Sequence, residues 1–568
     1  MVFKSPYKSV DIPPLDIPTF IFSHAISNTE YGKNPSLTVM ADGSSGESLS
    51  FEQLRNLSDA FASGLVNNLK MSKGDVLALF TPNSIEYPGI AFGTLSMGGI
   101  LTPANPAYNP NELAHQLGDS RAKAIVTTVA LLPVVKQAMG ILKKDKSEFA
   151  IVVTDKCQEP PTNFEGYKVL YFDDLLSTKP FTRLRIDQEE VAKNTTAYIC
   201  YSSGTTGLAK GVMLTHRNIV ANVVQNISFE ETDEYISRVK AELPRQTFLG
   251  VLPFFHIFGL TVTLHLAFAK GHSVVVIPKF DFELLLRVVQ EYKVNVAHLV
   301  PPIFLAIANS PLARKYDLSS LRYMISGAAP LGKGLQKKVS GMLGIPVGQG
   351  YGLTETSPVV HRMTLYNVVP GSIGVLSANV EAKIVDVDTG KELGVNQEGE
   401  IWCRGPNIMK GYLNNRKATE ESIDKDGFFH TGDIGYVDDK GYWYITDRLK
   451  ELIKFKGFQV APAELEGILL THPEVLDCAV IGVYDDTRHS EVPKAFVVRA
   501  RAASGDTKKK EQELATWLNN KVAKHKWLRG GIEFVDEIPK STSGKILRRI
   551  LREKEKTKRD LKSRQPKL

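Results

Sequence analysis

A run of hydroxyl-bearing residues, glycines and a lysine between residues 198 and 217 is the segment best suited to chemistry. It reads YICYSSGTTGLAKGVMLTHR, and its donors and permissive backbone positions are Ser202, Ser203, Gly204, Thr205, Thr206, Gly207 and Lys210. Glycines allow positive φ, so successive amides can point inward, and hydroxyls and an ammonium group add donors that suit a triphosphate. A Walker loop is excluded, because Lys210 is followed by Gly211 rather than by Ser or Thr. The segment predicts another kind of phosphate loop, against the alternative of an ordinary surface loop.

Six further segments follow the order of motifs in one enzyme superfamily. With the first they are residues 202–212 (SSGTTGLAKGV), 253–260 (PFFHIFGL), 326–332 (SGAAPLG), 349–355 (QGYGLTE), 430–433 (HTGD), 447–462 (DRLKELIKFKGFQVAP) and 539–549 (PKSTSGKILRR). The set resembles the adenylate-forming superfamily of acyl- and aryl-CoA synthetases, firefly luciferases and peptide-synthetase adenylation domains. Its wording is most similar to the 4-coumarate:CoA ligase group and its peroxisomal acyl-CoA ligase relatives. One departure is Ala209, where the family usually has Pro.

The resemblance implies a two-step reaction with ATP, Mg²⁺ and coenzyme A. A carboxylate attacks the α-phosphorus of ATP to give an acyl-adenylate and pyrophosphate, and the thiol of coenzyme A then takes the acyl group. By the same resemblance Glu355 is the magnesium-associated carboxylate. The residues that match ATP- or AMP-binding positions are Ser202, Ser203, Gly204, Thr205, Thr206, Gly207, Lys210, Ala328, Gln349, Gly350, Tyr351, Thr354, Asp433 and Arg448.

Catalytic and substrate-binding residues follow from the same matches. Lys545 resembles the mobile lysine that bridges the carboxylate and the α-phosphate, and His256 resembles a histidine that lies against the acyl-adenylate. Lys450 and Lys454 match positions near the acyl-adenylate after a small domain rotates. Lys279, Lys456 and Gly457 match coenzyme A contacts. The predicted acyl pocket is lined by Phe258, Val262, Ile325, Ala328, Gly352 and Val359.

The acid itself stays open between cinnamate-like acids and medium or long fatty acids. A hydrophobic pocket discriminates one methylene group by only about 1 to 3 kcal/mol. Residues 399–405 read GEIWCRG, where 4-coumarate ligases typically show GEICIRG, which weakens a strict hydroxycinnamate assignment. A luciferase-like oxygen-dependent reaction and a non-catalytic nucleotide binder are the alternatives. His216, His265, His272 and His298 are interpreted as core residues, because no ligand-like spacing surrounds them.

The hydrophobic pattern predicts an α/β fold. Short apolar runs at 76–80, 124–127, 150–153, 273–277 and 296–300 alternate with helical patterns at 51–69, 110–117 and 282–291. Such alternation is typical of doubly wound parallel sheets. From about residue 371 shorter alternating segments predict a β-barrel-like subdomain. We therefore expect an AMP-binding domain over 1–447 and a mobile α+β domain over 448–568, with a hinge at 447–450.

Composition limits the remaining classes of function. The 568 residues are 43% hydrophobic and 23% charged, which suits a globular enzyme of several folding units. Four scattered cysteines predict a reduced compartment without a structural zinc site. No apolar segment has the length of a signal peptide or a membrane span. The carboxylic acid partner is implied by the resemblance alone.

The net charge of +7 is concentrated in one segment. Residues 540–568 carry 12 Lys and Arg against 3 Asp and Glu, a balance of +9, so the rest of the chain sums to −2. This basic run lacks the folded face and interleaved aromatics of a nucleic-acid binder. The last residues, Pro566-Lys567-Leu568, differ by one residue from the Ser-Lys-Leu address of peroxisomal import receptors. They predict a peroxisomal protein, with the cytoplasm as the alternative.

Overall fold

The described chain folds into α/β units followed by a smaller C-terminal unit. The computed structural model describes residues 1–143, 149–155, 166–202, 209–456, 458–485, 487–500, 507–541 and 544–564, with side chains as far as residue 558. No helix within these ranges is long and apolar enough to cross a membrane. The three cysteines in them, Cys200, Cys403 and Cys478, are buried free thiols.

The first α/β unit is built on a sheet of eight strands, counted over the described ranges. Their order is β20 (Gly411–Tyr412), β10 (Lys210–Thr215), β9 (Thr196–Ser202), β5 (Ile100–Pro103), β4 (Val76–Phe80), β6 (Ala124–Thr127), β7 (Ala150–Val153) and β8 (Lys168–Tyr171). The strands from β9 to β8 run parallel, whereas β10 and β20 form an antiparallel edge. All five residues of β4 are buried, as expected where helices cover both faces.

A second sheet, with nine strands in the described part of the chain, carries the carboxyl-end loops that matter most below. Its order is β17 (Val375–Leu376), β16 (Val359–Arg362), β15 (Val347–Gly352), β14 (Tyr323–Ser326), β13 (Val296–Leu299), β11 (Thr247–Gly250), β12 (Ser273–Val276), β2 (Thr38–Asp42) and β3 (Ser48–Ser50). The central strands are parallel, and β16, β17 and β3 are antiparallel additions at the edges. The five strands predicted from apolar runs are confirmed as β4, β6, β7, β12 and β13.

A third sheet corresponds to the segment predicted to be barrel-like. It contains β1 (Val2–Lys4), β18 (Glu381–Val385), β19 (Gly399–Arg404), β21 (Phe429–Val437) and β22 (Trp443–Arg448), all antiparallel. Among the described residues the sheet is open, because β1 and β22 form its two edges. A bridge between Gly374 and Trp443 links the β22 edge to the second sheet.

The C-terminal unit has its own sheets and core. Its strands are β23 (Ile453–Phe455), β24 (Phe458–Val460), β25 (Val475–Asp485), β26 (Ser490–Arg499) and β27 (Ile532–Phe534). The division between sheets therefore falls between Arg448 and Ile453. Asp447 spans this junction, since its Oδ2 accepts a hydrogen bond from the backbone N–H of Ala463 at 3.1 Å. The predicted domain boundary at 447/448 and the hinge motion stay predictions.

Helices connect and cover the strands. They are α1 (Ile17–Asn28), α2 (Phe51–Asn67), α3 (Tyr87–Ser96), α4 (Pro110–Ser120), α5 (Leu132–Leu142), α6 (Phe172–Leu175), α7 (Glu189–Asn194), α8 (His216–Thr232), α9 (Glu234–Glu242), α10 (Leu266–Ala269), α11 (Phe282–Glu291), α12 (Pro301–Asn309), α13 (Lys333–Leu343), α14 (Arg416–Ser422), α15 (Pro462–Leu469), α16 (Thr507–Asn519) and α17 (Arg548–Arg564). Ser50 with Gln53, and Asn109 with Glu112, form capping boxes that start α2 and α4. The three predicted helices are confirmed as α2, α4 and α11.

Candidate active site

One cavity opens beyond the carboxyl ends of β13, β14 and β15. In open α/β sheets ligands bind in this position, because the loops after neighbouring parallel strands meet there. The cavity is also lined by the π-helix Phe258–His265 and by Lys545 from the C-terminal unit. Strand order in the second sheet thus brings together motifs that are far apart in the chain.

The residues predicted to bind the acyl group line this cavity together. They are Phe258, Val262, Ile325, Ala328, Gly352 and Val359. Two glycines are required here by close packing rather than by conformation. A Cβ on Gly327 would lie 2.7 Å from the Phe258 ring, and a Cβ on Gly352 would lie 1.8 Å from the Pro358 carbonyl oxygen. Ala328 has φ +66°, an uncommon conformation for a residue with a Cβ, which is typical of functional loops.

A group suited to a nucleoside lies beside the acyl lining. The Tyr351 hydroxyl donates a hydrogen bond to Asp433 Oδ2 at 2.6 Å, and Arg448 Nε lies 3.0 Å from Asp433 Oδ1. Each carboxylate oxygen keeps a further acceptor site, so Asp433 can receive two vicinal hydroxyls while Tyr351 and Arg448 hold it in place. Gly350, Tyr351 and Thr354 line the cavity.

Gln349 is placed differently from its neighbours in the motif, and its predicted contact with the nucleotide stays a prediction. It is 5% exposed and does not line the cavity. Its Oε1 accepts from the backbone N–H of Leu331 at 2.8 Å. Gln349 therefore holds the loop at 326–332 through its hydrogen bond with Leu331, and we assign it a positioning role.

Glu355 lies in a second polar group at the end of the phosphate loop. Its Oε1 accepts hydrogen bonds from the Ser202 hydroxyl at 3.1 Å and the Tyr412 hydroxyl at 3.0 Å. Lys210 Nζ lies 4.3 Å from the centre of the Tyr412 ring. Strands β9 and β10 hold Ser202 and Lys210 opposite each other. The predicted contacts Ser203, Gly204, Thr205, Thr206 and Gly207 lie outside the described residues.

Lys545 reaches the cavity from a tight turn. The backbone N–H of Ser541 donates to the Lys545 carbonyl at 2.8 Å, and Gly544 within the turn has φ +78°. Burial, followed by the positive charge of Arg448, lowers the pKa of Lys545 to about 8, although Glu355 and Asp433 act in the opposite direction. The Lys545 ammonium group therefore lies among three sets of side chains. They are the cluster around Asp433, the cluster around Glu355 and the residues of the acyl lining.

His256 lines the cavity as a neutral imidazole. Burial and the charge of Lys545 lower its pKa to about 3. Its Nδ1 accepts from the backbone N–H of Phe258 at 3.3 Å, which leaves Nε2 as the protonated nitrogen. The residue can orient a reacting carbonyl group or restrict access to it, but it does not supply a positive charge.

The lysines assigned to the second half-reaction lie elsewhere. Lys450, Lys454, Lys456 and Lys279 are exposed and do not line the cavity, and Gly457 lies outside the described residues. For Lys450 and Lys454 the predicted proximity to the adenylate is therefore absent from this arrangement. The reason is geometric, since the C-terminal unit presents the Lys545 turn to the cavity.

Several residues of the site were missed from sequence, among them the following four. Tyr412 holds Glu355, and Asn226, His298 and Arg362 line the cavity. They lie outside the motifs. His298 is buried, as its interpretation as a core residue implies, but it also lines the cavity. The apolar segment around His298, followed by two prolines, was the available signal, because it places the residue near the carboxyl end of a strand.

Comparisons with known proteins show which family the chain resembles. The family model described as AMP-binding enzyme matches residues 28–413, and the AMP-binding enzyme C-terminal domain matches 464–545. A probable 4-coumarate–CoA ligase 1 of Dictyostelium discoideum is 41% identical over 562 residues and covers 97% of both chains. The 4-coumarate–CoA ligase 2 of Petroselinum crispum is 39% identical, covering 98% of this chain and 97% of its own. Among solved structures, ATP-bound MatB from Rhodopseudomonas palustris is 28% identical with TM-score 0.79, covering 95% of this chain and 99% of its own.

The chain belongs to the AMP-binding enzyme family of adenylate-forming enzymes. The predicted α/β fold with a separate C-terminal unit is confirmed, and so is the prediction of an acid–thiol ligase. The individual site assignments stay predictions, supported by the geometry above.

Proposed function

We propose that the protein is an ATP-dependent ligase that joins coenzyme A to an aromatic, cinnamate-like carboxylic acid. The observation that carries the proposal is the position of Lys545 in one cavity with the apolar acyl lining, Tyr351 and Thr354. The relatives named as 4-coumarate–CoA ligases, at about 40% identity along nearly the whole chain, support the substrate class.

The first step forms an acyl-adenylate. A carboxylate oxygen of the acid attacks the α-phosphorus of ATP, and the bond from that phosphorus to the bridging oxygen of pyrophosphate breaks. Asp433, held by Tyr351 and Arg448, binds the ribose hydroxyls, and Thr354 faces the α-phosphate. Lys545 places its positive charge between the carboxylate and the α-phosphate, where negative charge must be stabilised in the transition state.

Glu355 is the residue proposed to hold Mg²⁺. The fit rests on chemistry, because Mg²⁺ in nucleotide enzymes is bound by one or two carboxylates together with phosphates. Glu355 is 8% exposed and accepts a hydrogen bond from the Ser202 hydroxyl, and no cluster of three metal-binding side chains competes with it within the described ranges. When bound there, Mg²⁺ would neutralise charge on the phosphates of ATP. Glu355→Gln should raise the Mg²⁺ concentration needed for half-maximal adenylation, and an unchanged requirement would remove Glu355 from the metal site.

In the second step the thiol sulfur of coenzyme A attacks the acyl carbon and AMP leaves. The exposed lysines Lys454 and Lys456 must then face the cavity, so the C-terminal unit has to turn about the junction at 447–450. Asp447 is the residue whose contacts would change, because it now binds the start of α15.

Separation of the two steps gives a further prediction. We expect Lys456→Glu to leave acyl-adenylate formation nearly unchanged and to reduce thioester formation by at least tenfold, because an anionic side chain repels the phosphates of coenzyme A. Pyrophosphate release without coenzyme A and acyl-CoA formation are measured on the same sample. Lys440→Glu, an exposed change in the large unit, is the control. Equal loss in both steps with an unaltered melting temperature would contradict the alternating arrangement.

The pKa of Lys545 gives a prediction for pH dependence. Its pKa is lowered to about 8, so the ammonium form is complete well below pH 8 and is lost as the pH rises through that value. We expect kcat/KM for adenylation to fall above pH 8. No inflection from His256 is expected between pH 5 and 8, since its pKa is about 3. Lys545→Arg retains its charge and should remove the alkaline decline, so an unchanged decline would assign it to another group.

The substrate class is tested with a panel of acids. Cinnamates, benzoates and saturated acids of increasing chain length are assayed for AMP release with and without coenzyme A. The proposal expects the highest kcat/KM with cinnamates and full turnover only when coenzyme A is present. Preference for saturated chains would overturn the aromatic assignment while leaving the ligase chemistry intact.

We further propose a peroxisomal location on the basis of Pro566-Lys567-Leu568, which lies outside the described residues. A receptor that reads the last residues needs a free carboxyl terminus. Proline at the first of the three positions removes an amide donor, which should weaken binding to that receptor. A fluorescent protein fused to the N-terminus, with and without residues 566–568, tests the proposal in cells. Loss of peroxisomal signal on deletion supports it, and a diffuse signal from both forms contradicts it.

A further inference from the structure

His298 is a buried side chain whose polar atoms have no partner in the described structure. The residue lies on β13 and is 1% exposed. Neither Nδ1 nor Nε2 makes a hydrogen bond to any described residue. Buried polar atoms are normally satisfied, so an imidazole with two free nitrogens requires an explanation. Because His298 also lines the cavity, a ligand can supply the missing partner.

Within the cavity His298 lies away from the reacting end. A Cβ built on Gly544, next to Lys545, would lie 3.3 Å from Val300, the residue that follows β13. His298 lies in β13 two residues before Val300, which corresponds to about 6.6 Å in extended chain. The electrostatic effects agree, since the charge of Lys545 lowers the pKa of His256, whereas the charges that affect His298 are those of Arg362, Glu230 and Lys270. A carboxylate at Lys545 therefore directs the remainder of the acid toward His298.

The side chains around His298 are either apolar or already hydrogen-bonded to other residues. The rings of Phe258 and Phe248 lie 5.8 and 5.5 Å from its ring. Arg362 donates to Asn226 Oδ1 and Glu230 Oε1, each at 2.9 Å. Burial, with a smaller effect of Arg362, lowers the pKa of His298 to about 3. The neutral imidazole thus offers one donor and one acceptor to a neutral polar group.

We propose that His298 determines specificity by binding a hydroxyl group at the end of the acid remote from its carboxylate. This inference rests on the proposed ligase function and narrows its substrate class. A phenolic hydroxyl can donate to one ring nitrogen, or accept from the other, and so satisfy a buried group. An unsubstituted ring or a plain alkyl chain would fill the same space and leave both nitrogens without a partner. The site should therefore disfavour those acids.

Other buried histidines with free nitrogens do not support a comparable proposal. His361 has two free nitrogens, but its ring lies between those of Tyr351 and Trp443 at 5.6 and 5.0 Å. His272 has a free Nε2 and its Nδ1 accepts from the Gln246 N–H. Neither lines the cavity. His298 alone among these three can meet the substrate.

The test compares cinnamate with 4-hydroxycinnamate in the full-length protein and in His298→Met and His298→Gln. Methionine fills the space without a comparable donor, whereas glutamine keeps a donor and an acceptor. Wild type should show kcat/KM about ten- to a hundredfold higher for the hydroxylated acid. His298→Met should abolish this ratio mainly by raising KM for 4-hydroxycinnamate, and His298→Gln should restore part of it.

Calorimetric binding of both acids is measured in parallel, because it does not depend on turnover. Stronger binding of 4-hydroxycinnamate that is lost in His298→Met supports the inference even if no adenylate forms, in which case only the proposed ligase function fails. Equal binding of the two acids by wild type overturns the inference while leaving the ligase function intact. A ratio that survives in folded His298→Met, as judged by its melting temperature, also overturns it.

Discussion

Replacement of Lys545 by alanine is expected to lower the rate of acyl-adenylate formation by about 10²- to 10³-fold. The side chain places a charge in the cavity beside Glu355 and Asp433, and no other described lysine lines that cavity. Loss of one preorganised charge in a site of low dielectric explains the size of the effect. Acid-dependent pyrophosphate release measures it, with kcat expected to fall more than KM rises.

The control for Lys545→Ala is Lys540→Ala in the same segment. Lys540 Nζ binds Asp477 Oδ2 at 2.6 Å within the C-terminal unit and does not line the cavity. This variant should keep nearly full adenylation. Thioester formation from preformed acyl-adenylate should survive in both variants, because it uses another face of the unit. Normal pyrophosphate release by Lys545→Ala would show that the charge in the cavity is not catalytic.

Replacement of Glu230 by glutamine is expected to destabilise the large domain by about 3 to 5 kcal/mol. Glu230 binds two cations, Lys270 and Arg362, and all three side chains are at most 6% exposed. Removing the anion leaves two buried positive charges without compensation. The free energy of unfolding is measured by denaturant titration, following a signal from the large domain.

The matched control is Glu189→Gln. Glu189 also binds two cations, Lys193 and Arg217, but its side chain is 40% exposed. Ion pairs at the surface contribute only about 0 to 1 kcal/mol, so this variant should unfold almost as wild type does. Equal destabilisation by the two variants would contradict a special role for the buried cluster.

The pH dependence of the Glu230 effect has a defined sign. Burial alone would raise its pKa, but Lys270 and Arg362 outweigh burial and lower it to about 2, from 4.5 in an unperturbed carboxyl group. Its stabilising contribution is therefore complete above pH 4.5 and is lost as the pH falls toward 2. The difference between wild type and Glu230→Gln should shrink over that range.

Much of the site could be predicted from sequence, because the motifs fix both residue types and their order. Asp433, Tyr351 and Lys545 meet in the structure although 194 residues separate Tyr351 from Lys545. Their meeting depends on strand order in the second sheet and on the C-terminal unit, which the resemblance implied and local periodicity alone did not.

The missed residues could not be recognised from sequence for one physical reason. His298 and Tyr412 acquire their roles through contacts between distant strands, and nothing in their local sequence specifies those contacts. Gln349 shows a different limit, since a motif indicates which residues adjoin a site but not how deeply each of them is buried. The depth of a side chain is decided by packing, here by the loop that carries Leu331.

Acid-dependent exchange of pyrophosphate into ATP, measured with and without coenzyme A, tests the central claim most directly. The acid is 4-hydroxycinnamate, and wild type is compared with Lys545→Ala. The proposed function predicts exchange by wild type without coenzyme A, acyl-CoA formation once it is added, and loss of exchange in the variant. Acyl-CoA formation without any exchange, or exchange that does not depend on an acid, would contradict an adenylate-forming ligase.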